Sequence, residues 1–260
     1  MWIMARYLPV APFSLKPANS TSSGGKTLLA PTPYSIKMAL LDVALRTLGL
    51  AEGERLFPLL RDLAIAIDLP HDLVVMKGLS KIRRPVESKD AQKKEETREE
   101  FEARLREKEA ARNELGQYPL YSTIAYREYV YHRDPFTLAL AIPDAPAFAQ
   151  TLTYLLARIN YFGKRGGFVQ LLEIPTQTAH LDKAHFVELT TPAQRTFYQT
   201  GTLQMLDDCA QSLSFQRVNI YSTERITLAK ERLLRHIVFP YQLRQSSRSY
   251  SWYQRITEEG

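Results

Sequence analysis

At 260 residues the chain is long enough to bury a full core, as one domain or as a domain with an appended lobe, and its 45% hydrophobic and 24% charged content is that of a globular protein. A single cysteine, Cys209, excludes an internal disulfide and a thiolate zinc cluster, and no apolar run reaches the ~18 residues of a spanning helix. The formal charge of +6 favours an anionic partner, and it lies outside the most charged segment: residues 89–114 hold eight Lys/Arg against nine Asp/Glu, which leaves 26 against 19, a net +7, for the rest.

The opening MWIMARYLPVAPF has Arg6 inside its apolar run and prolines at 9 and 12. It reads as a first strand over Trp2–Val10, not as a signal peptide, and a cytoplasmic protein is expected. Residues 17–31, PANSTSSGGKTLLAP, form a polar loop. Its GGKT invites comparison with a nucleotide-binding P-loop. That motif needs glycine at position 20, where Ser20 stands, and a helix beginning at the lysine, which Pro31 and Pro33 delay. The P-loop is rejected, and Lys26 stays as a candidate phosphate contact. Thr32-Pro33 then opens a helix, with threonine as N-cap and proline at the first helical position. Ile36, Ala39, Leu40, Val43, Ala44 and Leu48 recur at helical spacing, Lys37 and Arg46 project elsewhere, and Gly49 closes the helix. Spacing alone leaves Lys37 and Arg46 either solvated or turned to a ligand.

Glu54–Ile67 reads as a second, shorter helix broken at Leu69-Pro70. His71–Leu79 reads as a strand that runs into KGLSKIRRP, where Lys77, Lys81, Arg83 and Arg84 crowd together. The block 89–114 is poor in apolar residues and rich in Glu/Lys/Arg pairs at helical spacing, which makes it a solvated helical hairpin or a disordered segment. Tyr121–Tyr131 (YSTIAYREYVY, which includes Arg127) is a strand by its alternation and aromatic content; Pro135 interrupts, and Phe136–Ile142 continues as a second strand or as the far side of a bulge.

Asp144 caps a helix whose apolar run, Phe148, Leu152, Leu155, Leu156 and Ile159, leads to the loop Gly163, Lys164, Arg165, Gly166, Gly167. Gly163 is placed as the helix stop. Gly166 and Gly167 let backbone amides approach a ligand closely, and Lys164 and Arg165 add charge. The loop is either a phosphate cradle or an ordinary glycine-rich turn with solvated cations. Phe168–Ile174 is the next strand. The order β-α-β, charged insertion, β-α-β is that of a split βαβ, ferredoxin-like α+β fold. The boundaries follow: 1–79 and 121–175 as its two halves, 80–120 as the insertion, 176–260 as a C-terminal lobe.

In that lobe Thr190–Ala210 reads as helical or irregular, Arg217–Tyr221 as a short strand and Glu224–Leu234 as a short helix. His236–Leu243 and Tyr250–Ile256 pair as a hairpin around QSSRS. Between 230 and 255, cations that include Arg244 and Arg248 interleave with Phe239, Tyr241, Tyr250, Trp252 and Tyr253. That mixture suits single-stranded nucleic acid, with cations on phosphates and rings on bases; equally, the rings are core. Catalytic signals are few. The five histidines lack zinc spacing, Cys209 has no nucleophile signature, and adjacent Asp207 and Asp208 diverge if helical. A metal-free ribonuclease needs a base, an acid and a cation; Tyr131, His132 and Lys77 would supply them, but spacing gives no reason to choose these three.

The helix PTPYSIKMALLDVALRTLG after a short first strand, the YREYV strand beyond a long insertion and the FGKRGGF turn after the second core helix resemble the CRISPR-associated RAMP superfamily. Within it the chain is most similar to the Cas-five family, over most of residues 1–175. The resemblance implies an RRM-like fold whose thumb is residues 80–120. It implies a non-catalytic subunit of a type I Cascade-like complex that caps the 5′ handle of the guide RNA (crRNA). Its implied partners are that RNA, the backbone and large subunits, and target DNA through the complex. No cofactor or metal is implied. The Tyr/His/Lys set of the family's guide-processing branch does not map onto matching positions here. The residues expected at RNA are Lys26, Tyr34, Lys37, Lys77, Lys81, Arg83, Arg84, Arg127, Lys164, Arg165, Gly166, Gly167, Arg244 and Arg248. Two other classes stand beside this one: a metal-independent endoribonuclease for CRISPR repeat RNA, and a regulatory domain for a small anionic ligand.

Overall fold

The computed structural model describes residues 1–20, 25–85, 92–114, 120–143, 146–164, 166–192 and 200–257. In chain order the elements are β1 (Trp2–Pro9), α1 (Pro33–Leu48), α2 (Leu50–Arg61), β2 (Ile65–Asp68), β3 (Asp72–Pro85), α3 (Arg98–Glu114), β4 (Leu120–His132), β5 (Phe136–Ala141) and α4 (Pro146–Leu156). Then come β6 (Val169–Leu171), β7 (Thr176–Thr178), β8 (Val187–Glu188), β9 (Thr202–Cys209), α5 (Phe215–Val218), β10 (Arg232–Phe239), β11 (Tyr241–Ser246) and β12 (Tyr250–Arg255). They divide into two compact units, Met1–Gly78 with Arg127–Gly260, and Leu79–Tyr126.

The main sheet of the first unit runs β6-β1-β5-β2-β8. β1 lies antiparallel to β5 with Ile3 opposite Leu140 and Tyr7 opposite Phe136, and β2 antiparallel to β5 with Ile65 opposite Leu140. On the other edge of β1, β6 pairs with Tyr7–Pro9 and β7 with Trp2–Met4. Counting β1, β2, β5 and β6 as the four core strands, the sheet order is fourth, first, third, second, with α1 and α4 as the two crossovers. The fold is ferredoxin-like, α+β.

The core strands differ from the expected ones in two places. Ile65–Asp68 is a strand and not the end of a helix, since α2 stops at Arg61. A four-residue apolar run next to a helix carries no period of its own, so sequence assigns it to its neighbour. The third core strand is β5; β3 and β4 instead join a second sheet in the order β11-β12-β3-β4. There Leu73, Val75 and Val130 are buried in the core.

The C-terminal lobe departs further. β9 is a strand where a helix or irregular stretch was expected, and α5 is helical where a strand was expected. No helix occupies 224–234; β10 begins at Arg232. The hairpin is β11 with β12, while 232–239 pairs with β9 along its whole length, Leu233 opposite Asp208 and Phe239 opposite Thr202. This β9–β10 ribbon packs on α1. α1 itself begins as expected, the Thr32 Oγ1 accepting the Ser35 amide at 3.1 Å, and ends at Gly49 with φ +90°. Ile36, Leu40, Val43 and Ala44 face the core, and the ribbon buries the adjoining Lys37 and Leu41 as well. The second unit contains α3, a single helix where a helical hairpin or disorder was expected, together with the outer parts of β3 and β4. The expected cap at Asp144 lies outside the described residues.

Candidate functional site

A cleft of about 280 Å³ opens in the first unit where three segments meet. The start of α1 gives Thr32, Tyr34, Ser35 and Met38; residues 14–16 give Ser14, Leu15 and Lys16; the loop after α4 gives Tyr161, Gly163 and Lys164. The ribbon closes it with Asp207 and Arg232. Local chemistry fixes each wall. Leu15 bonds through its amide to Thr27 Oγ1 (2.9 Å) and through its carbonyl to the Leu28 amide (2.8 Å), which ties residues 14–16 to the segment that leads into α1. Gly163 stands at φ +70°, and a Cβ there would lie 2.4 Å from Leu15 Cδ2, so only glycine lets the loop press against this segment. It does this inside the loop: α4 ends at Leu156, and Gly163 is not the helix stop.

The cleft is electropositive. Arg232 donates to Asp207 Oδ2 from Nε and Nη2, each at 2.6 Å, and neutralises the one carboxylate in the wall. Lys16 and Lys164 bring the lining to three cations against one carboxylate among the described residues. The Arg232 guanidinium also lies 4.2 Å from the centroid of the Tyr34 ring and covers one face of it. Burial raises the Tyr34 hydroxyl's pKa and the nearby Arg232 partly opposes this, so the hydroxyl stays protonated as a donor. At the helix start, Thr32 takes the Ser35 amide, Pro33 has none, and the Ile36 amide reaches the Thr32 carbonyl. Among the described residues the Tyr34 amide is the first-turn donor left, at the positive end of the helix dipole.

Among the residues expected at a ligand, Tyr34 and Lys164 line this cleft together. Gly166 sits at the exposed tip with nothing within 4 Å of a Cβ, open to close approach. Gly167 serves the turn instead: its amide donates to the Lys164 carbonyl at 2.9 Å, and a Cβ would meet the Phe162 carbonyl oxygen at 2.7 Å. Arg165 lies outside the described residues. Lys37 is the clearest correction. It is 2% exposed, with its ammonium 2.6 Å from Asp208 Oδ1, because β9 covers the side of α1 that sequence left open.

Lys77 reaches Ser246 Oγ and the Ser247 carbonyl, stapling β3 to the β11–β12 hairpin. Lys26 is exposed, Arg127 half-buried on β4, and Arg244 and Arg248 exposed on the hairpin, away from the cleft lining. Lys81, Arg83 and Arg84 belong to the second unit. Sequence reasoning missed Ser14, Lys16, Asp207 and Arg232. Neither β9 (TLQMLDDC) nor β10 (RLLRHIVF) alternates clearly, so 190–210 reads as helical or irregular and 224–234 as helix, and no sequence signal marks the last two.

The trio Tyr131, His132 and Lys77 does not form an acid–base site. His132 is 2% exposed, with Nε2 donating to the Leu29 carbonyl (2.8 Å) and its ring edge-on to Phe13 and Phe136. Burial pushes its pKa down to about 4, the Leu29 bond only partly opposing. Tyr131, the next residue along the strand, is exposed on the opposite face. Among the described residues no group of three or more His, Cys, Asp or Glu is placed to hold a metal ion, and no helix is long and apolar enough to cross a membrane.

Fold and cleft together define a ferredoxin-like protein with a small electropositive cleft between its first core helix and the loop after its second. No protein-family model and no curated protein matches the chain. Solved structures similar to it include a CRISPR protein from Archaeoglobus fulgidus, 11% identical at a TM-score of 0.47, the match covering 99% of this chain and 92% of that one. A chain of a CRISPR RNA-guided surveillance complex is 15% identical at a TM-score of 0.41, covering 91% and 88%.

Proposed function

We propose that this chain is the guide-RNA-binding subunit of a type I Cascade-like effector complex and holds the 5′ handle of the guide in the cleft. The observation that carries the reading is the convergence of Thr32–Tyr34 and the glycine-rich loop on one electropositive cleft. Both segments are among the three whose motifs carry the resemblance. Lys16 and Lys164 contact phosphate, the Tyr34 amide and hydroxyl donate to the handle, and Arg232 offers its planar guanidinium to a base. One face of Tyr34 is already occupied, so Tyr34 acts through its polar groups and Arg232 presents the stacking plane. The role is binding without catalysis; the backbone and large subunits are its partners, and target DNA is reached through them.

The test is a titration of handle RNA against the purified chain across a salt series. In the Lys16→Ala/Lys164→Ala variant the slope of log affinity against log salt falls by about 0.7 for each single-strand phosphate that the protein ceases to neutralise. An unchanged slope in a folded variant would mean that the loop is only a turn. Site-specific cleavage of repeat RNA in EDTA would overturn the non-catalytic part.

A further inference from the structure

The β11-β12-β3-β4 sheet has two unlike faces. Cross-strand partners share a face. Val75 opposite Ser251 and Leu73 opposite Tyr253 point inward with Val130 and His132, and all but Tyr253 are fully buried. Val74 opposite Trp252 and Met76 opposite Tyr250 therefore point outward, with Tyr129 and Tyr131 of β4. Tyr131 is 46%, Met76 37% and Tyr129 36% exposed. Four rings and two apolar side chains on one open antiparallel face are more than core packing explains, since the core lies on the other side.

One of these rings is held in place. Trp252 Nε1 donates to Asp72 Oδ1 at 2.8 Å across the strands, and Gln254 and His71 bond to the same carboxylate. Burial pushes the Asp72 carboxyl up, but those bonds outweigh it and leave it below the ordinary carboxylate range, ionised and occupied. Asp72 is the one carboxylate at the outward positions of β3, β12 and β4 from 127 on. Arg133, 70% exposed just beyond β4, lies with Nη1 3.5 Å from Asp72 Oδ2 and neutralises that carboxylate, while Arg244 and Arg248 stand exposed on the neighbouring hairpin.

We propose that this face is a second nucleic-acid surface, a stacking platform for single-stranded RNA or DNA in which Tyr129, Tyr131 and Trp252 take successive bases and the hairpin arginines Arg244 and Arg248 take phosphates. Exposed rings beside cations, with a single neutralised carboxylate, fit bases and phosphates better than they fit an acidic or apolar protein partner. The platform is independent of the cleft: no residue is shared between them.

The experiment titrates the full chain with fluorescein-labelled 12-mers of oligouridine and oligothymidine, read by anisotropy, with Trp fluorescence alongside. Tyr129→Ala/Tyr131→Ala weakens binding at least about tenfold, from the range for removal of base stacking. Tyr129→Phe/Tyr131→Phe keeps it within about threefold, since stacking needs the ring and not the hydroxyl. Lys16→Ala/Lys164→Ala leaves this part of the binding in place, which separates failure of the platform from failure of the cleft. Near-ultraviolet circular dichroism confirms that each variant is folded. Wild-type affinity in the alanine variant overturns the proposal, as does sedimentation showing that the alanine pair only breaks up an oligomer of this chain.

Discussion

Replacing Lys37 separates a structural cation from an RNA contact. Its side chain is 3% exposed and has one anionic partner, Asp208, which is 1% exposed. Asp208 is better supplied: besides Lys37 it has Arg235 Nε at 2.7 Å and the Cys209 amide at 2.8 Å. Breaking a buried ion pair from one side costs about 3–5 kcal/mol. Lys37→Met leaves Asp208 still paired and falls at the lower end, about 3 kcal/mol. Asp208→Ala leaves the Lys37 ammonium buried without an anion and falls at the upper end, about 5 kcal/mol. At ~2–4 °C per kcal/mol for a chain of this size, the melting temperature drops by ~6–12 °C and ~10–20 °C respectively. The assay is thermal unfolding by circular dichroism, paired with the RNA salt slope measured below each melting point. Lys37→Met keeps the wild-type slope because it removes no phosphate contact. A variant with unchanged stability and a flattened slope would falsify the buried-pair account and return Lys37 to the ligand.

Burial holds the His132 pKa near 4 in the folded state against an ordinary value of 6.5, so the unfolded chain takes up the proton first as pH falls. Stability is fully present above about pH 6.5 and is lost towards pH 4, by about 3 kcal/mol, and subtracting the denaturation profile of His132→Phe isolates this component. A profile unchanged by the substitution would show that His132 titrates normally. Gly163→Ala destabilises by at least ~1–2 kcal/mol for the left-handed backbone alone, before the Leu15 clash, whereas Gly166→Ala stays within ~0.5 kcal/mol and instead weakens handle binding. Equal melting temperatures for the two would contradict the loop geometry. Arg232→Lys loses both the two-nitrogen contact to Asp207 and the guanidinium that covers the Tyr34 ring, so it lowers stability and handle affinity together; retention of both would show that any cation suffices there.

What could be read from the sequence was local. Thr32-Pro33 and Gly49 mark both ends of α1 by chemistry that acts within a few residues, and Pro135 separates β4 from β5. The glycine-rich loop was legible as an unusual turn, though not the division of labour within it, since Gly163 and Gly167 answer to Leu15 and Phe162. What sequence could not supply was the partner of a surface. α1 looks amphipathic with Lys37 on a free side until a ribbon more than 160 residues downstream covers it. Asp207 and Asp208 would diverge on a helix, but in a ribbon each finds its own arginine, Arg232 and Arg235. Reading 202–209 as helix or irregular, and 224–234 as helix, hid this pairing and with it the ribbon wall of the cleft.

The most direct test of the central claim is ultraviolet crosslinking of the assembled ribonucleoprotein followed by mass spectrometry. The account predicts crosslinks from the same 5′ handle nucleotides to the 32–38 and 161–167 segments and to the peptide that carries Arg232, three of the four walls of one cleft. Handle crosslinks confined to the hairpin beyond 240, with none on those walls, would contradict it.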